Sequence, residues 1–100
     1  MNKEIFGSTK KYKMLDYLTE KIRELGRNKK VYLITFINEF NQLINNVDKN
    51  ITNVELKNYT LELVHRDYKQ QTDKLFEKYD KKIVTYLKGY INGRIKNSKI

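Results

Sequence analysis

Residues 72–95 read TDKLFEKYDKKIVTYLKGYINGRI, and this stretch decides the fold class. Projected at about 100° per residue from Lys74, the side chains of Leu75, Phe76, Tyr79, Ile83, Tyr86, Leu87 and Tyr90 fall between about 100° and 220°. Positions 74, 78, 81, 85, 88, 92, 96 and 99 fall within about 40° of zero and read Lys, Lys, Lys, Thr, Lys, Asn, Lys, Lys. A lysine row opposite a tyrosine-leucine row predicts one long amphipathic C-terminal helix over about 72–95. Gly89 and Gly93 weaken its end, because glycine loses the most backbone freedom on ordering.

Upstream, Thr52 to about Asp67 has two readings. Thr52 and Glu55 match a capping box, which predicts a helix with Val54, Leu61, Val64 and Tyr68 on one side. Val54-Glu55-Leu56 and Leu61-Glu62-Leu63 also alternate around Lys57-Asn58, the pattern of a β-hairpin over 54–64. Val31 to about Val47 carries Leu33, Phe36, Ile37, Phe40, Ile44 and Val47 at the helical period, too long a run for a usual strand. Asn28 is placed to cap this helix, and 46–50 reads as the turn that follows it. Thr9 to Leu25 repeats Leu15, Leu18, Ile22 and Leu25, with Ser8 or Thr9 as cap and Gly26 as a left-handed stop. The fold expected is mainly α: a single domain over 1–100, a bundle of three to four helices, winged-helix-like if 54–64 is a hairpin.

Composition narrows the chemistry. The chain has 100 residues, no Cys, Pro or Trp, and no Ala. Disulfides, cysteine zinc sites and thiol catalysis are thereby excluded. Lys 17, Asn 11, Ile 10 and Tyr 8 follow AT-rich codons and suggest a low-GC genome, its plasmid or its phage. No apolar run approaches the roughly 18–20 residues of a membrane span, and MNKEIFGSTKKYK lacks the apolar stretch of a signal peptide. A cytoplasmic protein is expected.

The net charge of +9 is unevenly placed. Residues 1–30 hold nine Lys/Arg and four Asp/Glu, residues 31–65 two and four, and residues 66–100 ten and four. Codon bias raises lysine everywhere, so a polarised distribution needs another cause. Basic ends attract polyanions such as nucleic-acid phosphates. The candidate nucleic-acid contacts are Lys10, Lys11, Tyr12 and Lys13, then Arg27, Lys29 and Lys30, then Lys78, Lys81, Lys82, Lys88, Arg94 and Lys96. Tyr12 is the tyrosine expected to touch bases or sugars, because lysines surround it. The apolar row of Phe76, Tyr79, Ile83, Tyr86 and Tyr90 runs on toward Ile91 and Ile95, and is read as a homodimer interface.

Catalysis has little to stand on. His65 is the single histidine, and Asp67 two residues away on a helix does not share its face. Ser8 and Ser98 are the only serines, and the four glycines form no phosphate-cradling loop. Asp16, Glu20 and Glu24 share a helical face, where intrahelical pairing with nearby lysines is the simpler account. No enzyme, metal or cofactor is expected. A helix-turn-helix is disfavoured, because Glu55 and Glu62 would make 54–64 a poor recognition helix. In size and charge alone the chain is similar to small plasmid- or phage-encoded DNA-binding proteins. The expectation is non-enzymatic nucleic-acid binding, with double-stranded DNA favoured. The alternatives are a helical interaction module of immunity or antitoxin type, or a peripheral membrane binder.

Overall fold

The computed structural model describes the backbone of residues 9–100 and the side chains of 16–100. Its elements are α1 (Thr9–Arg23), α2 (Arg27–Asn50), α3 (Val54–Leu75) and α4 (Lys81–Ser98). The described residues contain no strand, so the hairpin at 54–64 and the winged-helix variant are corrected to helix. The buried positions of α3 explain why. Leu61, Val64, Tyr68, Thr72 and Leu75 recur at helical spacing far beyond Asp67, whereas Leu56 and Leu63 of the alternating pattern are exposed. The cap falls one residue later than expected: the Asn53 side chain accepts from the Leu56 amide at 2.9 Å.

The long helix expected over 72–95 is two helices. Residues 72–75 close α3, and the chain then tightens: Glu77 N donates to Lys74 O at 3.2 Å and Lys78 N to Leu75 O at 3.0 Å. Asp80 opens α4, accepting from the Lys82 amide at 2.8 Å. Lys74 and Lys78 therefore do not belong to the same helix as Lys81 and Lys88. The α1–α2 junction also differs. Gly26 has φ −60° and ψ 156°, an extended residue that starts α2 and not a left-handed stop. Residues 27–30 form the first turn of α2, and Asn28, read as its cap, lies inside it. Residues 46–50 complete the same helix, leaving only 51–53 as the connection to α3.

The molecule is a slab, 42 × 37 × 18 Å. α4 is its hub and packs on α1, α2 and α3, while α1 and α3 do not approach one another among the described residues. Three neighbours require a wide buried face. Ile83, Val84, Leu87, Tyr90, Ile91 and Ile95 are all buried and span an arc of about 140°. Phe40 is fully buried, with its ring 4.9 Å from Tyr68 and 6.4 Å from Tyr90, both edge-on. Burial and the nearby Glu39 and Asp67 carboxylates hold the Tyr68 phenol above its ordinary pKa.

This packing occupies the row read as a dimer interface. Tyr79, Ile83 and Tyr90 are buried within their own chain. Tyr86 is half-buried, its ring stacked on Tyr17 of α1 at 4.1 Å. Phe76 alone of the five is exposed. The row offers no continuous face to a second copy. No described helix is long and apolar enough to cross a membrane.

Candidate nucleic-acid interface

Two basic runs separated by some fifty residues meet at one end of the slab. Arg27, Lys29 and Lys30 lie in the first turn of α2; Lys78 lies in the turn after α3; Lys81 and Lys82 open α4. Tyr79 joins them. Its buried ring carries a hydroxyl that donates to Lys29 O at 3.2 Å, while Lys29 Nζ donates back across the junction to Lys78 O at 3.3 Å. Burial, and secondarily the neighbouring Tyr32, push the Tyr79 phenol above its ordinary pKa. The end of α1 closes the same surface: Tyr17, Lys21 and Leu25 line a shallow depression with Asp80, Lys81 and Lys82.

The electrostatics of this end leave the start of α2 uncompensated, while the Asp80 carboxylate caps the start of α4. The amino end of a helix carries partial positive charge and favours acidic neighbours. Neither α2 nor α4 has an acid in its first turn, and both have cations there. Gly26 gives α2 no side-chain cap, so orphan amides face outward beside Arg27 and Lys29. Among the described residues, Arg27, Lys29, Lys30, Lys78, Lys81 and Lys82 form no ion pair with a carboxylate. The nearby acids are partly engaged. Glu24 pairs with Lys21 at 3.3 Å and raises the Lys21 pKa, and Asp80 caps α4; Glu77 is exposed in the turn.

The other candidates lie elsewhere. Lys88 pairs with Asp73 and sits over the Phe76 ring. Arg94 donates to Asn45 Oδ1 at 3.0 Å, bridging α4 to α2. Lys96 is exposed in the last turn of α4, about 22 Å along the helix from Lys81. Lys10, Lys11, Tyr12 and Lys13 are in the first turns of α1, and their side chains lie outside the described residues.

Sequence reasoning missed Tyr32. It is 49% exposed and lies on the edge of the α2 core stripe, one turn before Phe36. Its ring is near-parallel to that of Tyr79 at 6.4 Å and 15°, with Lys78 Nζ 6.0 Å away. The available signal was an aromatic two residues after Lys30, in a run free of acids until Glu39. His65 Nε2 hydrogen-bonds Asn92 Oδ1 at 2.7 Å, tying α3 to α4. No three His, Asp or Glu side chains among the described residues converge to hold a metal ion. Comparison with protein families, curated proteins and solved structures finds no match for this chain.

Proposed function

We propose that this protein binds nucleic acid, without catalysing a reaction, through the end where α2 begins and α3 turns into α4. One observation carries the reading: six cations without a carboxylate ion pair among the described residues gather there, and α2 starts among them uncapped, with cations where its own dipole favours acids. A polyanion removes that conflict, since phosphate oxygens accept from Lys and Arg and from outward-facing first-turn amides. Contacts of this kind address the backbone and position it without reading sequence. Double-stranded DNA is the first substrate to test.

The experiment is a salt series on a labelled duplex by fluorescence anisotropy. Four phosphate contacts predict a loss of about a hundredfold in affinity between about 50 and 200 mM salt. Replacing Arg27, Lys30, Lys81 and Lys82 together by Gln should remove most of that slope. Replacing Lys57, Lys96 and Lys99 should leave it. Binding indifferent to salt and to the first set of replacements would sink the reading, and preferential binding to anionic vesicles would favour a membrane surface.

A second reading has its own observation. Leu56, Tyr59 and Leu63 form an exposed apolar stripe on α3. Such a stripe suits a protein partner or a second copy, and a homodimer would use it in place of the Tyr79–Tyr90 row.

A further inference from the structure

A groove runs between the start of α2 and the end of α3. It is lined by Tyr32, Gln71, Lys74, Leu75, Glu77 and Lys78. Resting on the nucleic-acid reading above, we infer that this groove receives an unpaired base of a single-stranded segment, stacked on Tyr32 and flanked by phosphates on Lys74 and Lys78.

The parts fit that ligand. Tyr32 offers an aromatic surface half open to water, and Tyr79 stiffens it from behind. Tyr79 is itself fixed by burial and by its bond to Lys29 O, so the platform is preorganised. Leu75 supplies an apolar floor. Gln71 donates one amide hydrogen to Asp67 Oδ2 at 2.9 Å, which leaves its carbonyl to accept from a base edge. Lys74 and Lys78 place positive charge at the groove, and Lys78 Nζ already sits 6.0 Å from the Tyr32 ring. A fully paired duplex keeps its base faces stacked on one another, so it engages the phosphate-binding lysines but not the ring. Among the described residues, Glu77 is the one carboxylate lining the groove and opposes the strand's charge.

The chain has no tryptophan, so Tyr32→Trp creates a single fluorescent reporter. Titration with a thymine single strand should quench it, whereas an abasic strand of equal length and charge should not. Tyr32→Ala should weaken binding of the thymine strand by about 5- to 150-fold. It should leave the abasic strand unchanged, with Tyr32→Phe retaining native affinity because stacking uses the ring. The comparison of thymine and abasic strands on the native protein requires no variant to fold. Equal affinity for both strands, with Tyr32→Ala without effect, would overturn this inference and leave the phosphate reading standing. Absence of binding to any strand at low salt would overturn both.

Discussion

The two ends of the slab treat charge in opposite ways. At the end where α2 meets α3 and α4 terminates, two lysines have carboxylate partners, Lys57 reaching Asp48 at 3.1 Å and Lys99 reaching Glu62, and Ser98 donates to Asp48, while Lys49 and Lys96 form no ion pair among the described residues. Asn58 exchanges two hydrogen bonds with the backbone of Ile100, binding the C-terminus to α3. At the other end six cations gather with no carboxylate ion pair among the described residues. Lysine content alone does not separate these ends. Local placement does: Lys96 lies in the last turn of α4, where the dipole favours it, and Lys81 and Lys82 lie in the first, where it does not. One end carries ion pairs between helices, and the other gathers cations around an α2 start that has no side-chain cap.

Both ends share one hydrophobic cluster, and its disruption carries the largest expected effect. Phe40 is fully buried against Tyr68 and Tyr90. Phe40→Ala should cost about 3–5 kcal/mol in urea unfolding and lower the protection of amides at both ends together. Exchange that collapses at one end alone would divide the molecule into two units.

The caps come next. Asp80→Ala and Asn53→Ala each remove a side-chain acceptor from a helix start and should each cost about 1 kcal/mol. Their effects on binding should differ. Asp80→Ala deletes an acid from the basic end and should hold or raise DNA affinity in proportion to folded protein. Asn53→Ala, at the paired end, should leave it unchanged.

Charge reversal should separate stability from binding. Lys81→Glu and Lys82→Glu place acids at the start of α4, and each should stabilise the protein by about 0.3–1 kcal/mol while weakening DNA binding. Lys99→Glu places an acid beside Glu62 and at a helix end that favours cations, so it should destabilise by less than about 1 kcal/mol. If Lys81→Glu weakened both stability and binding, the basic end would be an ordinary part of the scaffold.

The smallest expected effect concerns pH. Tyr68 and Tyr79 have raised phenol pKa values, so the folded state holds their protons longer than the unfolded chain does. Their contribution is intact below the unfolded tyrosine value of about 10 and is lost as pH rises through the folded values. Thermal melts should therefore show a decline confined to strongly alkaline solution, reduced in Tyr79→Phe. A decline beginning near neutrality would point to a different group.

Much of the fold was legible, and the misreadings have physical causes. Helical periodicity identified α1, the body of α2 and part of the apolar face of α4: Ile83, Leu87 and Tyr90 were placed on it, and the fully buried Val84 was not. It could not show the break at 76–80, because Leu75, Tyr79 and Ile83 are spaced four apart and all buried, which keeps the pattern in phase across the turn. Asp80 was the local signal, an acceptor followed by a helical run. At 54–64 the alternating residues imitated a strand because Leu56 and Leu63 lie on the exposed side of α3, and Val54, on the side of Leu61, is exposed only because it is the first residue of the helix. Of the candidate site, the runs 27–30 and 78–82 were identified separately. Lys88 and Arg94 read the same way, yet Asp73 and Asn45 engage them.

The sequence by itself determined that the chain is helical, that its core is built from leucine, isoleucine and aromatics, and that its cations concentrate toward its ends. These follow from spacings of three and four residues and from composition, which the chain carries locally. Only the tertiary structure decided which cations are neighbours and which are neutralised. It also decided that Tyr79 and Tyr90 lie inside the bundle and Tyr86 half inside it, leaving Tyr32 at the surface. Those outcomes depend on contacts such as Tyr79 to Lys29 and Tyr90 to Asn41, between residues about fifty positions apart. Such pairs form only when α4 settles among three helices at once, and no local pattern encodes that arrangement.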